Sequence, residues 1–403
     1  MIPEHTDIPY KISSEGSILA ESYKPRQSRC SFSVCLKVGA LILIAGIVLS
    51  LAFLPSLLSR MVTPARGKRP TAHPGNLPAN HTTTVGLGPL DPRLVRSFWG
   101  VDYTPHGTQL QFGCGVTQEE VIQDLRLLYQ ITPRIRLYGM DCNQADYVLN
   151  GMRILNINMG VILTIWVDSN QTTYQRQYDT FWRVLETYGG DNIIGVSIGN
   201  EALFRKEVSV STLVASIRDV KKKMIAMGYP KIPVYTSDIR ELPKLMPEQD
   251  AVLDNVHPFF AGTLPQDAAN WTWHYFYGVD QYPTIKLAEK LNQTQTKPAM
   301  ISEIGWPTFP EDGSIQAAIP SVENQKILLD TFICQANRRG VPYFWFEFKD
   351  EPWKQDMFNE TRESFWGIFD KDNNLKVSSL PNCTLPVWKK GDLFIPQPKP
   401  LDS

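Results

Sequence analysis

The stretch from Ile193 to Arg205 reads IIGVSIGNEALFR, and it has the pattern of a buried strand that ends in polar residues. All residues from Ile193 to Gly199 are apolar or small, and four of them are β-branched, which is typical of a strand covered on both faces. Asn200 and Glu201 follow at its carboxyl end. Because a carboxylate near a buried strand is costly unless it is paired or used, Glu201 is a candidate functional residue.

Seven further segments show the same strand pattern, and amphipathic segments lie between most of them. In TQEEVIQDLRLLYQI the apolar residues recur at helical spacing, Thr117 is a suitable N-cap, and Glu120 can complete a capping box. Strand and helix alternating eight times, with nearly continuous apolar strands, predict an α/β fold of the (β/α)8 TIM-barrel type. An open doubly wound sheet is the alternative, but neither G-x-G-x-x-G nor a Walker motif is present. The strand candidates are 97–103, 134–140, 160–168, 193–201, 233–238, 251–260, 298–306 and 342–350.

The residues before the barrel predict a single membrane anchor. Residues 38–58 carry no charge and would form a helix about 31 Å long, which matches a hydrocarbon core of about 30 Å. A cleaved signal peptide is the alternative, but the polar leader is long and LLSRMV offers no A-x-A-like site. We predict a cytoplasmic tail at 1–37, a transmembrane signal anchor at 38–58, a disordered Pro-rich stalk at 59–96, the barrel at 97–384 and an extended tail at 385–403.

Basic residues flank the apolar segment on both sides, so charge does not orient it. All N-x-[ST] sequons and four of the six cysteines lie after it, which suits an oxidising compartment. We therefore expect a single-pass type II protein of the cell membrane, held in the lipid bilayer by 38–58, with the barrel on the cell-wall side. The sequons are at Asn80, Asn170, Asn270, Asn292, Asn359 and Asn382.

Composition excludes several functions. The 403 residues have a formal net charge of -1 and no basic stripe, so nucleic acid is not expected as a partner. The six histidines show no ligand spacing, so neither a metal nor another cofactor is predicted. A Ser-His-Asp hydrolase would need G-x-S-x-G at a strand-to-helix turn, whereas the match at Gly195–Gly199 lies inside the predicted buried strand, so this class is not favoured.

A second acid, Glu303, stands out among the strand ends. It follows the apolar start of MISEIGWPT, and Gly305 to Pro307 turn the chain directly after it. Glu201 and Glu303 are 102 residues apart, or three barrel units of 34, which places them on strands 4 and 7 of one cleft. Two carboxylates facing one cleft are what glycoside hydrolysis needs, one as proton donor and one as an ionised group.

Four segments, VSIGNEALFR, MISEIGWPT, IRLYGMDC and NVHPFFAG, together resemble glycoside hydrolase family 17 in its fungal branch, over most of residues 97–383. The resemblance implies a retaining (β/α)8 enzyme acting on β-1,3-glucan, with Glu201 as acid/base and Glu303 as nucleophile. Some members of this branch carry an N-terminal membrane anchor, and some transfer glucan chains to other sugars instead of to water.

Further residues are candidates for supporting roles. Asn200 is expected to bind a sugar 2-hydroxyl, with a helix cap as the alternative. The resemblance favours Tyr235 beside the nucleophile and Tyr138 at the rim of the reacting sugar, with core packing as the alternative for both. His257 is a possible polar contact, although a lone histidine is more often structural. Sugar contacts are predicted for Asp102, Tyr103, Glu347 and Lys349, with a local salt bridge as the alternative on strand 8, and sugar stacking for Trp306 and Phe259.

The resemblance also implies the disulfides Cys114–Cys142 and Cys334–Cys383, although four cysteines allow three pairings.

The sequence thus predicts a retaining endo-β-1,3-glucanase of fungal cell-wall remodelling. A transglycosylase with the same two glutamates is the nearest alternative. A cellulase of a related barrel family and a glucan-binding protein without catalysis are less favoured, the latter because binding alone needs neither acid nor nucleophile.

Overall fold

The computed structural model describes residues 86–238, 245–292 and 296–390. In this part of the chain, eight parallel strands form a closed barrel in which each strand pairs with the next and the last pairs with the first. The predicted barrel is confirmed, and each strand lies inside its predicted segment. The strands are β1 Gly100–Asp102, β2 Arg134–Arg136, β3 Gly160–Ile165, β4 Ile193–Asn200, β5 Val234–Asp238, β6 Val252–Asn255, β7 Ala299–Ile304 and β8 Tyr343–Trp345.

Helices alternate with the strands along the described chain, and the segment 239–244 between β5 and β6 lies outside it. A π-helical turn, Phe276–Gln281, joins the two helices between β6 and β7. The α-helices are α1 Gln118–Ile131, α2 Gln144–Leu155, α3 Gln171–Tyr188, α4 Val210–Ala226, α5 Ala268–Tyr275, α6 Tyr282–Lys290, α7 Val322–Arg339 and α8 Trp353–Phe358.

The helix ends follow the local sequence signals. The Thr117 side chain accepts from the Glu120 backbone N–H while the Glu120 carboxylate accepts from Thr117, so the predicted capping box closes the start of α1. Helix α7 ends at Gly340, which adopts φ 67°, a left-handed conformation that glycine adopts without a steric penalty. These boundaries therefore depend on few residues and little on the rest of the fold.

The strands are covered on both sides, and β3, β4 and β7 are buried at every position. Such strands carry little alternation between apolar and polar residues, because helices cover one face and the barrel interior the other. Register shifts interrupt the pairing of β4 with β5 between Ser197 and Asn200 and of β6 with β7 between Asp254 and Asn255. Irregularities of this kind re-aim side chains, and these occur at the carboxyl ends of the strands.

Both ends of the described chain pack on the barrel. The Arg96 guanidinium donates to the Tyr129 carbonyl at 2.9 and 3.1 Å, and the Leu385 N–H donates to the Arg96 carbonyl at 2.7 Å. Trp388 is buried as well. Arg96, at the end of the predicted stalk, and Leu385 and Trp388, in the predicted extended tail, therefore contact the domain.

No helix in the described ranges is long and apolar enough to cross a membrane. The predicted cytoplasmic tail, the anchor at 38–58 and the first part of the stalk lie outside the described residues, as does 391–403.

Two disulfides join the same cysteines that the resemblance implies. Cys114, in the loop after β1, is bonded to Cys142 after β2, with 5.2 Å between their Cα atoms. Cys334, in α7, is bonded to Cys383 near the carboxyl end, with 5.6 Å between their Cα atoms. The first bond lies at the end of the barrel where the strands terminate, and the second joins the last residues to the last long helix.

Candidate active site

Glu303, on β7, is nearly buried and has hydrogen-bond partners on both oxygens. Oε1 accepts from the Tyr138 hydroxyl at 2.9 Å and from Nη1 of Arg136 at 3.1 Å, and Oε2 lies 3.1 Å from Nε2 of His257. Burial by itself would raise the pKa of Glu303, but the His257 hydrogen bond and the Arg136 charge outweigh it and hold the pKa at about 2. Glu303 is therefore a carboxylate throughout the physiological range.

Arg136 supplies the buried positive charge at the centre of the site. Its guanidinium also donates to Asp102 Oδ1 at 3.1 Å and to Asn200 Oδ1 at 2.7 Å. Burial would lower its pKa, but the surrounding groups, including Asp102 and Glu303, raise it, so the side chain stays protonated. Burial raises the pKa of Asp102 despite this neighbour. A single arginine on β2 thus connects β1, β4 and β7.

Glu201 lies directly after β4 in a different environment. Its Oε1 accepts from Nδ2 of Asn255 at 2.8 Å. Burial and the negative charge of Glu303 raise its pKa to about 7, against the opposing effect of the Asn255 hydrogen bond. Below that pH Glu201 carries a proton. Asn200 Oδ1 accepts both from Arg136, which binds Glu303, and from Asn255, which binds Glu201, so the two carboxyl groups occupy one site.

Asn255, at the end of β6, orients the residues around Glu201. Its Oδ1 accepts from the hydroxyls of Ser237 at 2.9 Å and Ser302 at 2.8 Å, so its Nδ2 is directed to Glu201 and, at 3.2 Å, to Asn200 Oδ1. With Oδ1 of Asn200 bound to Arg136 and Asn255, its Nδ2 donates to no other residue in the described ranges. That N–H remains for a ligand, so the alternative of Asn200 as a helix cap is not observed.

The structure changes the predicted roles of two tyrosines. Tyr138, expected at the rim, donates its hydroxyl to Glu303. Tyr235, expected beside the nucleophile, is buried on β5 with its hydroxyl against Gly195, where any Cβ would collide with it. The prediction for Tyr235 is therefore wrong, and its alternative, core packing, is what the structure shows.

Two predicted sugar contacts at the carboxyl end of β1 are buried. Asp102 is fully buried and accepts a hydrogen bond from Arg136, so its role is to hold Arg136 in the site. Tyr103 is 1% exposed and donates to Asp124 Oδ2 at 2.8 Å, which ties β1 to α1. Neither side chain is accessible to a sugar, and both predictions are corrected for that reason.

The predicted stacking platforms are also buried. Trp306 is 0% exposed and donates Nε1–H to the Ile319 carbonyl, and Phe259 packs edge-on against it with 5.2 Å between ring centroids. A sugar cannot reach either face, so these two predictions are wrong. Half-buried Phe346 and exposed Phe260 both contact the ring of His257, which lies beside Glu303.

In the residues after β8 the structure shows the salt bridges that were the alternative to sugar contacts. Glu347 is 1% exposed and accepts from Lys354 Nζ at 2.6 Å, and burial raises its pKa. Lys349 pairs with Asp124 at 2.5 Å. Predicted sugar contacts by Glu347 and Lys349 are therefore replaced by internal pairs.

Sequence reasoning missed Arg136 and Asn255, and it ranked His257 as more often structural. One signal was available, since Arg136 lies between Ile135 and Leu137 in a predicted buried strand, where a charge is costly unless it is paired. Asn255 has no comparable signal, because an amide at a strand end is common.

A closed (β/α)8 barrel with a protonated glutamate and an ionised glutamate at the ends of β4 and β7 defines a two-carboxylate glycoside hydrolase. The family described as BtgE/BtgC glycoside hydrolase domain matches residues 100–367, and the chain belongs to this family. No group of three or more His, Cys, Asp or Glu side chains within the described ranges is arranged to hold a metal ion.

The chain is similar to curated fungal proteins. It is 35% identical to the probable glucan endo-1,3-beta-glucosidase btgC of Aspergillus flavus over 317 residues, and this aligned region covers 73% of this chain and 45% of that protein. It is 34% identical to the glucan endo-1,3-beta-glucosidase btgC of Emericella nidulans over 314 residues, and that aligned region covers 72% of this chain and 47% of that protein. The chain therefore spans about half the length of these relatives.

Solved structures share the fold. An active-site mutant of the beta-1,3-glucanosyltransferase of Rhizomucor miehei, in complex with laminaritriose, matches with a TM-score of 0.60 and 24% identity, covering 72% of this chain and 100% of that chain. An endo-laminarinase from Formosa matches with a TM-score of 0.55 and 17% identity, covering 76% of this chain and 96% of that one. At these identities the likeness establishes the barrel.

Proposed function

We propose that this protein is a retaining glycoside hydrolase that cleaves internal bonds of β-1,3-glucan in fungal cell-wall remodelling. The observation that carries the proposal is the pair of glutamates at the ends of β4 and β7: Arg136, Tyr138 and His257 contact Glu303, whereas an amide, that of Asn255, contacts Glu201. These contacts, together with burial, lower the pKa of Glu303 and raise that of Glu201. The substrate class rests on the names of the fungal relatives, which are glucan endo-1,3-beta-glucosidases.

In the first step, Glu201 donates its proton to the glycosidic oxygen while the Glu303 carboxylate attacks the anomeric carbon. The bond to the leaving sugar breaks, and a glycosyl ester of Glu303 forms. In the second step, Glu201, now ionised, takes a proton from water, whose oxygen attacks the anomeric carbon and releases Glu303. Asn200 donates its free N–H to the sugar 2-hydroxyl, an interaction that strengthens as the transition state forms.

The environment of each glutamate suits its step. Arg136, Tyr138 and His257 keep Glu303 ionised before attack, and they stabilise it again as a leaving carboxylate. Burial and the charge of Glu303 keep Glu201 protonated before the first step. Once Glu303 is esterified its charge is lost, so the pKa of Glu201 falls and the same group becomes a base.

The first experiment is mass spectrometry of the products formed when the full-length protein acts on a defined β-1,3-glucan oligosaccharide. Products shorter than the substrate would support hydrolysis, and products longer than the substrate would show that a second sugar replaces water as acceptor. An unchanged oligosaccharide that is nevertheless bound would contradict the proposed activity and favour a binding protein. The Glu303→Gln variant is the control, because it removes the attacking carboxylate with little change in shape.

We also infer that residues 38–58 anchor the protein in the cell membrane and that the barrel lies outside the cytoplasm. These residues carry no charge and are numerous enough to span the hydrocarbon core of a bilayer as a helix, which supports the anchor. The two disulfides support an oxidising compartment for the barrel. β-1,3-Glucan and the lipid bilayer are thus the proposed partners.

A further inference from the structure

Glu201 has a backbone conformation that its residue type rarely adopts. Its φ is 53°, in the left-handed region where a side chain crowds the backbone. A non-glycine residue keeps such a conformation only where its surroundings hold it, and such residues are frequent at active sites. The two peptide groups flanking its Cα must therefore be held from outside.

Arg205 binds the carbonyls of both of these peptide groups. Its Nη1 donates to the Asn200 carbonyl at 2.6 Å, and its backbone N–H donates to the Glu201 carbonyl at 2.9 Å. The Glu201 N–H donates to the Ser237 carbonyl at 2.8 Å, on β5. Side chain and main chain of one arginine thus hold the peptide groups on the two sides of Glu201.

The Arg205 side chain is itself fixed. Nε and Nη2 each lie 3.1 Å from one oxygen of Glu207, in a bidentate pair. The guanidinium also stacks on the Trp166 ring, 4.6 Å from its centroid, at the end of β3. A planar fork that meets a carboxylate, a carbonyl and an aromatic face at once is a geometry that lysine cannot reproduce.

We propose that Arg205 is the positioning residue of Glu201: by binding the carbonyls on both sides of it, Arg205 holds the acid/base carboxyl group in place for both proton transfers. The inference rests on the proposed retaining mechanism and adds to it a residue that touches neither the sugar nor Glu303. Loss of the Arg205 side chain lets Glu201 relax toward the right-handed region and carries its carboxyl group away from the glycosidic oxygen.

The Arg205→Met variant tests this inference against Arg218→Met. Arg218, on α4, makes a similar bidentate pair with Glu248, but it is exposed and belongs to no site. Turnover of β-1,3-glucan by Arg205→Met should fall about 100-fold at every pH, because correctly placed acid–base catalysis is worth about 10²–10⁴-fold. An aryl glycoside whose leaving group needs no proton should still form the glycosyl ester at close to the normal rate.

Added azide separates positioning from a general loss of structure. Azide needs no base: its nitrogen bonds to the anomeric carbon and the Glu303 ester bond breaks, releasing the carboxylate and a glycosyl azide. With the aryl glycoside, azide should accelerate Arg205→Met and yield this product, as it should for Glu201→Ala, and should not accelerate Arg218→Met.

Three results would overturn the inference. The first is a folded Arg205→Met variant whose glucan turnover is within twofold of that of Arg218→Met. The second is a pH profile of Arg205→Met turnover in which the alkaline limb shifts but the plateau rate is unchanged, and the third is the absence of a glycosyl azide product. If Arg205→Met fails to fold, Glu207→Gln, which weakens only the anchor of the guanidinium, should show a smaller loss with the same azide response, and no response would contradict the inference. Wild-type activity of Glu303→Gln would instead refute the proposed mechanism itself.

Discussion

At the residue scale, two carboxyl groups of the same type differ because their neighbours differ. Glu303 has three hydrogen-bond partners, two of them to Oε1, whereas the half-buried Glu201 side chain has one, the amide of Asn255. Their pKa values are thereby separated, one at about 2 and the other at about 7. This separation assigns acid and nucleophile without reference to any relative.

Substitution of each glutamate should therefore have a distinct effect. Glu303→Ala should abolish turnover of all substrates and leave the protein folded, because Asp102 and Asn200 still bind Arg136. Glu201→Gln should abolish glucan cleavage but spare formation of the glycosyl ester from substrates with good leaving groups. Steady-state and burst kinetics on glucan and on an aryl glycoside measure both effects. Wild-type activity of Glu303→Ala would refute the nucleophile assignment.

The pH dependence follows from the same two groups. The active form has Glu303 ionised, which holds above a pH of about 2, and Glu201 protonated, which holds below a pH of about 7. The profile of kcat/KM should thus be flat between these values and fall as the pH rises through 7.

The His257→Phe variant should move the acid limb of this profile to higher pH, because it removes the hydrogen bond that lowers the pKa of Glu303. His274→Phe is the matched control, since His274 is exposed on α5. An acid limb at the same pH in His257→Phe and His274→Phe would show that His257 does not support the ionised nucleophile.

At the element scale, the two disulfides join elements that strand pairing does not. The Cys334–Cys383 bond closes a loop with a sequence separation of 49 and holds the last described residues on α7, whereas Cys114–Cys142 closes one of 28. A crosslink removes more conformational entropy from the unfolded chain when the loop is longer, but this entropy grows only slowly with loop length.

Replacing both cysteines of the longer loop, Cys334→Ser with Cys383→Ser, should lower the free energy of unfolding by about 3–4 kcal/mol and leave kcat almost unchanged. The matching double replacement at Cys114 and Cys142 should cost slightly less free energy of unfolding. Denaturant unfolding followed by fluorescence gives both values. Unfolding midpoints equal to that of the parent protein would mean that packing alone holds these segments.

At the scale of the whole molecule, the proposed orientation places the barrel in the secretory pathway. Every sequon asparagine in the described ranges is exposed, so a transferred glycan would meet no packed surface; these are Asn170, Asn270, Asn292, Asn359 and Asn382. Asn170 accepts from the Thr172 N–H through Oδ1, which leaves its Nδ2 for modification.

Full-length protein produced in a fungal host should accordingly lose mass on treatment with an N-glycosidase and should remain in the membrane fraction after a high-salt wash. A variant with the five described sequon asparagines changed to glutamine should show little mass change, with Asn80 as the remaining sequon. An unglycosylated wild-type chain, or one released by salt, would contradict the orientation or the anchor respectively.

The order of elements, the helix caps and the positions of Glu201 and Glu303 could be predicted from local sequence, because apolar period, capping residues and strand-end acids depend on near neighbours in the chain. Which side chains meet those glutamates was decided by the closed barrel. Its strands are buried on both faces and shift register at β4 and β6, so no alternation shows where a side chain points. For that reason Tyr138 contacts Glu303 and Tyr235 does not, Trp306 lies in the core, and Arg136 joins strands separated by more than a hundred residues.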